Sequence, residues 1–65
     1  MKDGQQKKDD LREAIAEARR FLDRAQRWQA SLVSHFHVIY GSKHAAAAKR
    51  ASMDLTRALA ELRRS

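Results

Sequence analysis

Apolar residues recur along the chain from residue 11 at alternating intervals of four and three positions. This line consists of Leu11, Ile15, Ala18, Leu22, Ala25, Gln29, Leu32, Phe36 and Ile39. Only Gln29 among them is polar. Because an α-helix makes one turn in about 3.6 residues, the spacing brings all of these positions to one side of a single helix. The pattern therefore predicts a long first helix with a coiled-coil-like apolar line.

Short polar segments indicate where this helix begins and ends. An aspartate side chain accepts hydrogen bonds from the free amides of a first turn, so Asp9 or Asp10 is the predicted N-cap. Gly41 supplies the left-handed position that ends many helices, and Ser42 is a favourable N-cap for a second helix. These assignments predict a flexible tail over residues 1–8, a first helix from about 10 to 40, a turn at 41–42 and a second helix from about 43 to 64.

The second helix carries its own apolar line at the same spacing. The line consists of Ala45, Ala48, Ser52, Leu55, Leu59 and Leu62, with Ala51 and Ala58 beside it. A tight turn between two helices makes them antiparallel neighbours. We therefore expect an all-α fold, a two-helix antiparallel hairpin that forms a single domain over residues 1–65.

The predicted helices differ in length, and the difference leaves apolar residues uncovered. Leu62 lies 21 residues after Gly41 and should face the first helix near residue 20. Nothing from the second helix would then reach Leu11 and Ile15. A second row of residues lies beside the first line and repeats every seven residues. We call it the second row, and it consists of Ala14, Phe21, Trp28 and His35. One helix cannot cover both the first line and the second row.

Two hairpins packed together would cover both, which predicts a homodimer that forms a four-helix bundle. Gln29 would help to set the register and the oligomeric state of such a dimer. The alternative is that the second row stays uncovered in the hairpin and binds a different protein. The predicted dimer interface consists of Leu11, Ile15, Ala18, Phe21, Leu22 and Trp28.

The composition agrees with a small helical protein that needs a partner. The chain has 65 residues, no cysteine, no proline and two glycines. A domain of roughly 60 residues is marginal by itself and usually needs a disulfide, a metal or an oligomer. Because no disulfide can form without cysteine, oligomerisation remains. The first ten residues lack the pattern of a secretory leader and no apolar run could span a membrane, so we expect a cytoplasmic protein that does not act at a membrane.

A net charge of +6 favours an acidic protein surface or a nucleic acid as partner. Between Asp23 and Asp54 the chain has no acidic residue, although it has five lysines and arginines there. This segment either docks phosphate or carboxylate groups or serves only solubility. Tryptophan and arginine dominate binding hot spots, which makes the aromatic residue of this region a candidate as well. The predicted partner-binding residues are Arg24, Arg27, Trp28, Lys49 and Arg50.

The sequence contains no pattern that indicates catalysis or metal binding. A zinc site needs three or four converging ligands, and His35, His37 and His44 have neither cysteines nor nearby carboxylates to complete one. The serines lack an acid–base relay at a recognisable spacing, and there is no glycine-rich phosphate loop. We therefore expect a protein that is not an enzyme and that holds no cofactor.

Two classes of function follow from these expectations. The first is a small regulatory or adaptor protein that binds other proteins, with an inhibitor that masks a surface of a larger target as one form. The alternative is a basic dimeric nucleic-acid-binding protein. The sequence contains no helix-turn-helix pattern and no basic helix leading into a zipper, and acidic residues interrupt the arginines of the first helix. Protein binding is therefore the favoured prediction.

Overall fold

Two helices make up the computed structural model of this chain. Helix α1 spans Gly4–Leu32 and helix α2 spans His37–Arg63, and the two pack against each other as a hairpin. The structure describes residues 4–32 and 37–64, apart from the side chains of 37–42. The molecule measures 50 × 13 × 11 Å. Its long dimension is close to that of a single straight helix of this length, since 29 residues rise about 44 Å.

The helices run in opposite directions. Helix α1 ends at Leu32 and α2 begins at His37, and the two helices pack against each other within a length of 50 Å. Two helices that pack in this way across so short a connection are antiparallel. The predicted all-α antiparallel hairpin is confirmed.

The predicted helix boundaries were wrong. The first helix begins at Gly4, so neither Asp9 nor Asp10 is its N-cap, and residues 4–8 of the predicted tail are helical. Asp10 is instead buried in the second turn of the helix, where it accepts a hydrogen bond from Gln6 Nε2 at 3.1 Å. The first helix also ends at Leu32 rather than near residue 40, and α2 includes the glycine and serine of the predicted turn at 41–42.

Equal helix lengths explain the position of the turn. With the connection between Leu32 and His37, the helices have nearly equal lengths of 29 and 27 residues, and α1 is buried as far back as Asp10 and Ala14. A glycine inside a helix costs about 1 kcal/mol relative to alanine. The additional contact along both helices outweighs that cost, so Gly41 lies within α2 rather than ending a helix. The local turn preference of Gly41–Ser42 is overridden by tertiary packing.

The residues buried between the helices are small. The buried apolar residues among those that the structure describes are Ala14, Ala48, Ala51 and Ala58. No large side chain of the described residues is fully buried, because two helices alone have a single contact side. Alanine at the line of closest approach lets the two backbones come near each other, and larger side chains then lie beside this line with one side exposed.

Helix α2 covers the second row of α1, which begins at Ala14, and not the first apolar line, which begins at Leu11. Ala14 is buried and Phe21 and Trp28 are half-buried, whereas Leu11 and Leu22 are exposed. The sequence predicted instead that α2 would cover the first line from about residue 20 onward. That prediction was wrong. Aromatic side chains explain the difference, since each buries roughly 150–250 Å² and dominates the apolar surface that a contact removes from water.

The contact line of α2 keeps Ala48 of the predicted line, at 2% exposure, and otherwise shifts toward the alanines predicted beside that line. Ala51 and Ala58, which the sequence placed beside the line, are buried at 3% exposure each. Ser52 and Leu59, predicted on the line, are half-buried. Leu55 and Leu62 are half-buried as well, so they border the alanines and extend the contact outward.

Candidate functional site

The most conspicuous surface of the hairpin is an uncovered line of apolar residues on α1. We call it the apolar stripe, and it consists of Leu11, Ile15, Ala18, Leu22, Ala25, Gln29 and Leu32. Its large side chains are about half exposed: Leu11 at 50%, Ile15 at 45%, Leu22 at 55% and Leu32 at 52%. From its first to its last residue the stripe runs about 32 Å along the helix. Contiguous exposed apolar surfaces occur at interaction sites for proteins or other ligands, so this stripe is the first candidate site.

Leu11 and Ile15 are exposed as predicted, but for another reason. The sequence prediction was that α2 would be too short to reach them. The structure shows a second helix nearly as long as the first, and Asp10 and Ala14, beside these two residues, are buried. These two residues are exposed because the whole stripe lies to one side of the contact with α2. The exposure therefore continues along α1 to Leu32 instead of ending near residue 20.

Two shallow depressions lie along the stripe, and they differ in charge. The first is bordered by Lys8, Leu11, Arg12, Ile15, Ala16 and Arg19. The second is bordered by Leu22, Ala25, Gln26, Trp28, Gln29 and Leu32. Three cations and no carboxylate line the first depression, whereas no charged side chain lines the second. The stripe thus has a cationic half toward the N-terminus of α1 and an uncharged half toward its C-terminus.

A second surface lies on the opposite side of the contact between the helices. We call it the basic groove; its cationic members are Arg20, Arg24, Lys43 and Arg50. Ala46, Ala47 and Ala51 also line it, and Asp54 is its one acidic member. Small side chains between the cations leave space for a ligand to approach them. The groove can therefore accept carboxylate or phosphate groups through charge-assisted hydrogen bonds.

Carboxylates on α1 already pair with two of these cations and with Arg27, which lies outside the groove. Arg20 Nη1 lies 3.3 Å from Glu17 Oε1, and Arg24 Nη1 lies 3.8 Å from Asp23 Oδ2. Arg27 Nε lies 3.3 Å from the same Asp23 oxygen. Exposed pairs of this kind are worth only about 0.2–1 kcal/mol. A polyanionic ligand can therefore displace them at little cost.

The structure divides the predicted partner-binding residues between three places. Arg24 and Arg50 lie together in the basic groove. Trp28 and Lys49 lie on the other side of the helix contact, at a small pocket with Phe21 and Ser52. Arg27 lines neither of these sites and pairs with Asp23. The predicted set is therefore not a single site.

Sequence reasoning missed Arg20 and Lys43 as members of the basic groove. Arg20 could have been found, because it precedes Arg24 by four residues and shares its side of the helix. Lys43 could not, because its position opposite Arg24 depends on where the turn lies. Met53, which is 70% exposed on α2, also went unnoticed because it lies outside the predicted apolar line.

The predicted dimer-interface residues also fall into two groups. Leu11, Ile15, Ala18 and Leu22 belong to the apolar stripe and are exposed. Phe21 and Trp28 contribute to the contact between α1 and α2, so part of their surface is used within the hairpin. A role for all six in a dimer stays a prediction.

Among the residues that the structure describes, no group of three or more histidine, cysteine, aspartate or glutamate side chains converges. His44 is half-buried, whereas the side chains of His35 and His37 lie outside the described part of the chain. Neither α1 nor the described length of α2 is apolar enough to cross a membrane.

Comparison with known proteins does not add a family to this geometry. No protein-family model, no curated protein and no solved structure matches the chain.

Proposed function

We propose that this chain is a small non-enzymatic regulatory or adaptor protein that acts by binding other protein chains through the apolar stripe. A cytoplasmic location and a homodimeric state belong to the same proposal. An inhibitor that masks a surface of a larger target is one form of it. The basic groove would receive acidic side chains of that target, and it remains open when the stripe is occupied because it lies on the opposite side of the helix contact.

The observation that carries the proposal is the exposure of the stripe on a helix that already has a partner. Helix α1 already packs against α2, and yet Leu11, Leu22 and Leu32 are each at least half exposed. Isolated exposed leucines are common and need no explanation, but a regular line of them at heptad spacing is typical of a helix that meets a further helix. Burying that line requires another protein chain.

A charged residue in the middle of the stripe tests the proposal. Leu22→Glu places a carboxylate where a partner helix would exclude water, which is unfavourable without a compensating partner. We expect binding to weaken by at least tenfold, both to a second copy and to any target recovered from the source cells. The measurement is affinity capture with the tagged protein, together with sedimentation equilibrium.

Met53→Glu is the matched control. Met53 is more exposed than Leu22 and lies on α2, outside the stripe, so the same change of charge should leave binding intact. Both variants must keep the helical circular dichroism of the parent protein. If the Leu22 variant retains every interaction of the parent, the stripe is not a binding surface and the proposal fails.

The basic groove supports nucleic-acid binding as the second candidate. Its four cations lie on two helices and could contact phosphates on either side of a backbone. Such binding should weaken steeply between about 50 and 200 mM salt, because counterions are released. A double substitution, Arg24→Gln with Arg50→Gln, should reduce the salt dependence. Absence of binding to DNA and RNA at low salt excludes this candidate.

A further inference from the structure

We infer that the basic groove binds a compact ligand that carries two or more phosphate groups, such as an organic diphosphate. The inference goes beyond the proposed function, because it concerns the groove and requires nothing of the apolar stripe. It selects phosphate from the two kinds of acidic group that the groove can accept. Such a ligand would compete with the acidic side chains of a target for the same cations.

The four cations of the groove form two pairs, each with one member on either helix. Because the helices are antiparallel, the distance of a residue from the connection can be counted along each helix at about 1.5 Å per residue. Arg24 lies about 12 Å along α1 from the connection, and Lys43 lies about 9 Å along α2. Arg20 and Arg50 lie about 18 Å and about 20 Å from it. A ligand therefore needs two neighbouring acidic groups to contact both pairs.

The charge of the groove favours phosphate over carboxylate. Lys43 and Arg50 are exposed and form no ion pair with any residue that the structure describes, not even with Asp54 in the same groove. Four cations and one carboxylate give the lining a formal charge of +3. A phosphate group carries about −1.5 to −2 charges at pH 7, whereas an ionised carboxylate carries only −1. Two phosphate groups therefore balance the groove, and two carboxylates do not.

The side chains that line the groove leave room for such a ligand. Three of the four cations are arginines, whose planar guanidinium groups can donate two parallel hydrogen bonds to phosphate oxygens. Between the cations lie Ala46, Ala47 and Ala51, which are too small to block the approach. The groove has a volume of about 410 Å³, within the range of about 300–1,000 Å³ that is usual for small-ligand sites.

The end of the groove farthest from the connection favours a compact ligand over a nucleic-acid strand. Asp54 lies about 26 Å along α2, beyond both pairs of cations. Its carboxylate would repel the next phosphate of a continuous backbone. None of the described residues that line the groove is aromatic, whereas single-stranded nucleic acids are held largely by stacking on aromatic side chains. A diphosphate can contact both pairs and end before Asp54.

Isothermal titration calorimetry of the full chain with inorganic pyrophosphate at low salt tests the inference. We expect one site per chain. Arg50→Gln removes an exposed, unpaired cation of the groove and should weaken binding roughly tenfold or more, because charge-assisted hydrogen bonds are lost. Lys49→Gln is the matched control: it makes the same change of charge at the adjacent residue, which lies at the small pocket with Phe21. We expect this control to stay within about twofold of the parent, since exposed charges interact weakly through water. Both variants must keep the helical circular dichroism of the parent.

Three results would overturn the inference. Absence of pyrophosphate binding, or an equal loss in the Lys49 variant, would show that the groove is not a specific site. Citrate that binds as tightly as pyrophosphate would assign the groove to carboxylates. Duplex DNA or RNA that binds more tightly than pyrophosphate, and depends on Arg50, would assign it to nucleic acid. None of these results decides the test of the apolar stripe by Leu22→Glu, so the inference and the proposed function fail separately.

Discussion

Replacing Ala58 with leucine tests whether α2 meets α1 along its alanine line. Ala58 is 3% exposed, so the added carbons of a leucine have no free space between the helices. Leucine and alanine are both strong helix formers, so the substitution changes packing more than local helix stability. The helices must separate or tilt to accept the larger side chain, and the contacts next to position 58 are lost.

The expected loss is large for a protein of this size. Overpacking a tight contact costs about 1–3 kcal/mol. A chain of 65 residues has a total stability of roughly 3–10 kcal/mol at the usual 0.05–0.15 kcal/mol per residue. The substitution therefore removes an appreciable part of the free energy of unfolding. In a small domain each kcal/mol lowers Tm by about 4–8 °C, so we expect a drop on the order of 10 °C.

Urea unfolding followed by far-UV circular dichroism measures this loss. The protein concentration is held constant, because the stability of an associating protein depends on it. Ala46→Leu is the matched control, since Ala46 lies on the same helix and is exposed. We expect the control to stay within about 0.5 kcal/mol of the parent, as surface substitutions usually do. Equal stability of the two variants would refute the observed contact line and restore the predicted one, in which Ala58 lies to the side.

Two further substitutions address the turn and the aromatic contact. Gly41→Ala should stabilise the protein by about 1 kcal/mol in urea unfolding, because the structure places residue 41 inside α2, where alanine is the better helix former; a loss of stability would return this glycine to a left-handed turn. Trp28→Ala should destabilise the hairpin by about 2 kcal/mol, near half the cost at a fully buried site, because Trp28 is half-buried against α2. Unchanged stability of that variant, measured by circular dichroism, would show that the tryptophan is not part of the contact between the helices.

The sequence alone determined the class of the fold and the presence of apolar residues on α1 that the hairpin leaves exposed. The alternation of four and three residues is a local property, because it follows from the pitch of any helix. It was enough to predict two helices, an antiparallel hairpin and an apolar line too large for one hairpin to cover. Leu11 and Ile15 were identified as exposed from this pattern, although the predicted cause was wrong.

Only the tertiary structure decided where the turn lies and which side of each helix is covered. Gly41 and Ser42 have the strongest local preference for a turn, but helices of equal length bury more surface, and this gain involves residues far apart in sequence. The apolar stripe, which begins at Leu11, and the second row, which begins at Ala14, have the same period. They differ by a rotation of about 100° around the helix. Periodicity cannot choose between two such lines. The choice depends on how closely the alanines of α2 can approach and how much aromatic surface they cover, so the most regular apolar line in the sequence is the one that the hairpin leaves open.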